Sequence, residues 1–543
     1  MTPFQRVLRG PRMNSESGGP GNDLGPESTA RRILRNSIWH SFGWGFMILL
    51  NFFSVPFIIS ELGPSSYGIF VLAISIAAPM GLLDFGMTDA TVKYLSESLG
   101  KDDRAGAARY AASGMFFNIA VGIVGTGLVV AIAPFLVRSV FDIPLIDHDE
   151  AIGAMRLSAI LWMAAQIRQT PTGVMTAFKR FDLLNVGSSL MQAVILLCGL
   201  AALWSGGGLT GFVGAQAGAS VAATGVWIAL SMKVSGGISL IPAFERASLR
   251  QTTTFGFWQM LNMLGSILSQ QSLRWLLGIL LNVTSIGFYN VCQQLVNTLY
   301  MIAYRIGQVL FPEVSALVGK GEGKKAAEIV VNATWLVSVA AGAMFVPVAI
   351  FAQDLLRLWV GGEISNVAAE TLRIMCIGSF IGCLFAAPSF YLLGTERGRW
   401  LAGMSMMNGA IVVVASALLV PPLGLSGAAI AYAGGTLVHA VILIAMWRTV
   451  FRAWIPGRSY FSAAFGGLFL STILGGAGSL ARNAWMGPSS WGELTLWGGA
   501  AAAVTAFCIL SIGHFLPGGS DRTRSVLSLV RSIRSTKSVE ASE

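Results

Sequence analysis

The chain has 543 residues, 54% of them hydrophobic and 11% charged, with a formal net charge of +10. Soluble domains carry roughly 25% charged residues, so a water-soluble globular protein is excluded. The positive balance calls for no nucleic acid, because basic loops lying against anionic lipid account for it.

Residues 1–34 are rich in Gly, Pro, Ser and Arg and read as a disordered cytoplasmic tail. No apolar stretch precedes the first span, so no cleavable signal peptide is expected. Apolar blocks of about 20 residues follow, each long enough to cross the hydrocarbon core as a helix. They centre near residues 50, 77, 122, 163, 194, 220, 265, 298, 338, 380, 410, 436, 469 and 505. The predicted fold is therefore an all-α integral membrane protein of about fourteen transmembrane helices. Acidic residues from Asp142 to Glu150 predict a solvated loop. The tail at 517–543 is basic. Within it, Asp521 to Lys537 alternates basic and apolar residues, as either an interfacial helix or a disordered tail would.

The chain repeats itself at an offset of 216 to 219 residues. Ser66-Tyr67-Gly68-Ile69-Phe70 returns as Ser285-Ile286-Gly287-Phe288-Tyr289, and Leu209-Thr210-Gly211 as Leu425-Ser426-Gly427. Arg156, Pro171 and Arg180 match Arg373, Pro388 and Arg397. Spans one to six (35–235) and seven to twelve (250–450) thus form two pseudo-symmetric six-helix lobes around a central cavity. Six is even, so the copies insert in the same sense about an axis along the membrane normal. Spans thirteen and fourteen (458–516) have no counterpart. Duplication of a membrane unit, with binding at the seam, is the architecture of secondary transporters.

Placing the amino terminus in the cytoplasm puts 30 of the 36 lysines and arginines on the inner side. That asymmetry supports an even span count with both termini inside. The five cysteines all lie within predicted spans and suggest no disulfide framework; the four histidines give no metal-ligand spacing. No metal and no cofactor are expected. No nucleophile–base pair is visible, and Gly319-Lys320-Gly321-Glu322-Gly323-Lys324 lacks the spacing of a phosphate loop, so no catalytic residue and no enzyme is predicted.

Glu61-Leu62-Gly63-Pro64-Ser65-Ser66-Tyr67-Gly68-Ile69-Phe70, followed by Leu83-Asp84-Phe85-Gly86-Met87, resembles the start of bacterial flippases for O-antigen, capsule and exopolysaccharide repeat units. These belong to the multidrug/oligosaccharidyl-lipid/polysaccharide exporter superfamily. Ile286-Gly287-Phe288-Tyr289-Asn290-Val291 is similar to the same group, and the pattern covers roughly residues 33 to 450. The resemblance implies alternating access, a substrate of oligosaccharide linked through diphosphate to a polyprenol, and a bacterial inner membrane location. Membrane lipids, a polysaccharide polymerase and export machinery are the partners that go with such an activity. Multidrug members have twelve spans; two more fit the polysaccharide branch better.

Charged residues inside spans are costly and point to function. A diphosphate calls for arginine, whose planar fork of donors suits it. Arg274 is the leading position; Gln270, four residues earlier, shares its helix face. Arg168, between Gln166 and Gln169, is a second lumen candidate. Gln294 and Asn297 fall near one face of the eighth span with Arg305, whereas Gln293 points elsewhere. Asn51 is paired by the repeat with Gln270. Asp84 and Arg305 sit at similar depth in the symmetry-related second and eighth spans and are candidates for an inner gate. Pro171 and Pro388 are candidate hinges, since an internal proline removes a helical hydrogen bond. A cation-coupled multidrug antiporter is the alternative transporter, with Asp84 and Asp89 as its available carboxylates. A lipid II flippase is a nearer cousin. A multi-span polysaccharide polymerase is the alternative of another class, but it needs a large outer loop that the sequence lacks.

Overall fold

The computed structural model describes residues 26–84, 87–244, 257–308, 311–395, 398–483, 487–515 and 517. Among them the regular secondary structure is helical, with no β-strand. The segment predicted as an interfacial helix lies outside the described residues.

Two long helices each hold two spans. Pro26–Ala77 turns at Gly63 (φ 75°, ψ 165°) and Gly398–Met446 turns at Gly424 (φ 58°, ψ −134°). Positive φ is open to glycine because it has no Cβ to clash. Gly208, opening the sixth span ahead of Leu209, has φ 59°, as Gly424 does ahead of Leu425. The repeat in sequence is thus a repeat of turn geometry. The first helix begins at Pro26, so residues 26–34 are helical where the sequence predicted tail. Proline is tolerated at a helix start because the amide it lacks would have no partner there.

Spans three to six are Arg104–Phe135, His148–Ala177, Phe181–Trp204 and Gly208–Val234. Spans seven to ten are 257–280, interrupted at Gln271, then Val283–Gln308, Gly323–Ile350 and Gly362–Gly394, interrupted at Phe385. Gly457–Asn483 and Trp491–Phe515 complete fourteen passes. Among the described residues, nine helical segments are long and apolar enough to cross a membrane, and two of these, Gly45–Asp84 and Trp400–Phe451, each contain two spans. Not among the nine are His148–Ala177, 257–280 and Val283–Gln308. These are the spans that carry Arg168, Arg274 and Arg305.

The lobes repeat one another's packing. The first span packs on the fifth as the seventh does on the eleventh; the third meets the fourth as the ninth meets the tenth; the fourth meets the sixth as the tenth meets the twelfth. Spans thirteen and fourteen pack on the ninth, where Gly342 lies beneath Ser471 and Ile509. Small residues let helices approach closely in lipid. Asp354, buried after the ninth span, takes two hydrogen bonds from the Arg482 guanidinium (2.9 and 2.7 Å), tying the added pair to the second lobe.

The lobes are sealed together at the face that carries Gly63, the one the lysine and arginine distribution assigns to the outside. Gly68 and Gly287, equivalent in the repeat, meet there. A Cβ on Gly68 would collide with the Val283 carbonyl, and one on Gly287 would lie 3.0 Å from the Pro64 oxygen. Such a self-matching contact is what a two-fold axis produces. Two latches flank it. The Asp142 amide donates to the Gly278 carbonyl (2.9 Å), from the loop after span three to span seven. Trp359, on the helix Ala352–Val360 after span nine, donates to the Phe52 carbonyl of span one (2.8 Å) and stacks on its ring at 4.8 Å.

Two expectations change. The 142–150 segment is not simply a solvated loop: the Asp142 amide bonds Gly278 of the second lobe, Ile143 is buried, and Glu150 accepts from the Leu209 amide of its own lobe (3.1 Å). The hinge prolines are also unlike. The fourth span runs through Pro171 without interruption, whereas the tenth breaks at Phe385 and resumes at Ala386, just before Pro388.

Candidate functional site

Arg274 stands where the lobes meet. Its guanidinium donates to Gln271 Oε1, to Asn290 Oδ1 (3.1 Å) and to Gln293 Oε1 (2.9 Å). Asn290 Nδ2 donates in turn to the Tyr67 hydroxyl of the second span (2.8 Å). The two motifs that carry the resemblance therefore converge on one arginine. Among the described residues no carboxylate lies within ion-pair distance of it, and its Nε is buried without a partner. Amide oxygens solvate the cation but leave its charge uncancelled, so the site favours an anion.

Next to this cluster a cavity of about 170 Å³ opens within the second lobe, between spans seven, eight, ten, eleven and twelve. Gln270, Gln293 and Asn297 form one wall, and Asn408, Tyr432 and His439 another. Gln293 belongs to both sites, with Oε1 on Arg274 and its side chain in the cavity wall. Among the described residues no lysine, arginine, aspartate or glutamate lines the cavity.

The first lobe is built differently. Arg168 Nη1 donates to the Ser220 carbonyl (3.0 Å), Ser220 Oγ (2.8 Å) and Thr224 Oγ1 (2.8 Å), joining spans four and six. Gln166, on the same span, donates to Asp84 (3.3 Å) and to Asn118 (3.0 Å), which donates to Thr170 (2.7 Å). Burial obliges these groups to find one another.

Placement of the predicted site residues is therefore uneven. Arg274 and Gln270 are brought to one neighbourhood, but through Gln293 and not by direct contact. Gln293, not Gln294, joins Asn297: the 100° step between successive helical residues sends Gln294 into a separate crevice with Phe52 and Trp359. Asn51 donates to Met47 of its own helix (2.8 Å) and lines neither cavity. Arg168 stays within its own lobe. Tyr67, Asn290, Asn408, Tyr432 and His439 were missed. Tyr67 and Asn290 were visible as motif residues without an assigned partner; the other three sit singly in apolar spans and give no local pattern.

The description "Polysaccharide biosynthesis protein" belongs to a family model that matches residues 33–318, more than half of the chain. The chain belongs to this family. It is a member of the polysaccharide flippase branch of the multidrug/oligosaccharidyl-lipid/polysaccharide exporter superfamily. A MatE model matches residues 260–419, so the two matches overlap on the segment that carries Arg274. A Shigella flexneri protein described as "Putative O-antigen transporter" is 20% identical over 420 residues, covering 76% of this chain and 96% of that protein. The fold is shared with the lipid II flippase MurJ in an inward closed conformation (TM-score 0.71, 12% identity, 88% of this chain and 99% of that one). It is shared also with a multidrug resistance MATE family transporter in an inward-facing conformation (TM-score 0.62, 16% identity, 75% and 94% covered). These relatives are transporters and flippases, not enzymes, and the family member described here is a multi-pass membrane transporter.

Proposed function

We propose that this protein moves a polyprenyl-diphosphate-linked oligosaccharide from the inner to the outer leaflet of a bacterial inner membrane by alternating access, with both termini cytoplasmic. The observation that carries the reading is Arg274: a cation at the lobe seam, solvated by neutral amides and lacking a carboxylate. An isolated charge within the bilayer is expensive. A diphosphate headgroup would supply the missing charge and two oxygens to a planar donor fork. Arg168 offers a second cation on the first lobe. Gln270 and Asn297 extend the polar wall, and Asp84 and Arg305 remain the proposed inner gate. The O-antigen relative and the lipid II flippase fold support this class of substrate.

The MATE likeness and the MatE match favour a second reading, a cation-coupled multidrug antiporter. In that case Asp84, half-buried and accepting from Gln166 (3.3 Å), would be the coupling carboxylate. Replacing Arg274 with Ala separates the two. The flippase reading expects export to fall roughly 100-fold, in line with loss of a buried charge contact, with lipid-linked oligosaccharide building up on the inner leaflet. Lys at 274 should restore part of it. Normal export by Arg274→Ala would refute the proposal, and drug efflux abolished by Asp84→Asn would favour the antiporter.

A further inference from the structure

We infer that the cavity in the second lobe is a subsite for a single uncharged sugar residue of the headgroup, held beside the diphosphate. This deepens the flippase reading and rests on it.

Three features point to a neutral carbohydrate. The first is the supply of free hydrogen-bonding groups. Asn297 and Asn408 have no hydrogen-bond partner in the described protein, and both face the cavity. Each offers an amide donor pair and a carbonyl acceptor, the set that vicinal hydroxyls need. His439 adds to this. Its Nδ1 lies 3.0 Å from the Thr436 carbonyl, which places the hydrogen on that nitrogen and leaves Nε2 as an acceptor.

The second is the combination of rings and absent charge. Tyr300 and Tyr432 present flat apolar faces among the polar groups, suited to the C–H face of a pyranose. Gly382 lines the same wall within van der Waals range of the Tyr300 ring. Ser379 and Tyr432 hold each other at 2.8 Å, fixing the second ring. With no lysine or arginine among the described residues of the wall, an acidic sugar would enter without a counter-charge.

The third is size and position. At about 170 Å³ the cavity falls below the roughly 300–1,000 Å³ of pockets that enclose drug-sized ligands, so it takes one ring and not a whole repeat unit. Gln293 bridges it to Arg274, so a ring seated there would lie next to an anion on the guanidinium.

The test uses the full chain in lipid nanodiscs. Its probes are undecaprenyl diphosphate alone and the same lipid bearing one galactose, one N-acetylglucosamine or one glucuronic acid. The neutral-sugar lipids should bind roughly 3- to 10-fold more tightly per hydrogen bond gained than the bare lipid, and the glucuronyl lipid should gain nothing. Asn408→Leu and His439→Phe should each remove most of the neutral-sugar gain while leaving affinity for the bare lipid unchanged, which also reports that the variant is folded. Equal binding of bare and neutral-sugar lipids by the wild-type protein overturns the subsite, and needs no variant to do so. Variants that weaken bare and sugar-bearing lipids alike also overturn it. Failure of bare undecaprenyl diphosphate to bind, together with an inert Arg274→Gln, instead overturns the diphosphate reading, and the sugar-bearing lipids still report on the cavity.

Discussion

The two lobes share a helical frame and differ in what fills it. In the first lobe the half-buried Asp84 joins buried Gln166, Asn118 and Thr170 in one polar chain. At the offset of the repeat the second lobe has Ala303, Cys383 and Ala387, all buried. Arg168 reaches across to Ser220 in the first lobe; at the matching places in the second, Phe385 stands in its stead and meets the edge of His439 at 5.4 Å. One lobe therefore spends its polar groups on itself, around a fixed cation. The other leaves amides and hydroxyls facing a hollow. A duplicated backbone preserves packing partners because apolar surfaces of similar shape still fit. Side-chain chemistry is free to diverge between copies, and the divergence separates a packed frame from a receptive one.

That contrast can be broken from its shared feature outward. Gly68 and Gly287 both hold the seam, so Gly68→Leu and Gly287→Leu should have the most severe effects, Gly68→Leu the larger because its Cβ meets the Val283 carbonyl head-on. Overpacking the seam by roughly 3 kcal/mol would depopulate the sealed state about 100-fold, and export should fall accordingly. The rate of outer-leaflet delivery of lipid-linked oligosaccharide measures this. Normal delivery by either variant would remove the seal from the transport cycle, and a milder effect of Gly68→Leu than of Gly287→Leu would overturn the clash argument.

Next in size is a change confined to the first lobe. Arg168→Gln loses a charged donor to Ser220 and Thr224, and export should drop roughly tenfold, the scale of one hydrogen bond to a charged group. Thermal stability in detergent separates a transport defect from a folding one. If melting shifts and delivery does not, Arg168 is a brace between spans four and six and no more.

The smallest effect is expected at the latch from the second lobe. Trp359→Phe keeps the ring on Phe52 but removes the hydrogen bond to its carbonyl. A loss of about 1 kcal/mol should favour the unsealed state by roughly fivefold. Labelling of a single cysteine placed at the Gly63 face, in a background without the accessible Cys198, would report it as faster modification. An unchanged labelling rate would make the latch dispensable and leave the seal to the glycine pair.

Membrane residence, the all-α fold and the duplication were legible in residue order alone, as was the reason to single out Arg274 as a candidate. The reason is that lipid imposes a length and an apolarity on every crossing helix, and an arginine inside one stands out against that rule. Gly63 and Pro64 likewise mark the first turn by local backbone preference. Tertiary packing decided the rest. Which of Gln293 and Gln294 faces the hollow depends on helix rotation set by neighbouring spans, and both choices satisfy the same local pattern. Asn408 and His439 reach Gln270 only because spans eleven and twelve fold back on span seven. Asn51 and Gln270 share a place in the repeat, yet one bonds to its own helix and the other lines a cavity. Periodicity carries information about neighbours one turn away; a site assembled from five helices depends on contacts more than a hundred residues apart, and those exist only once the lobe has closed around them.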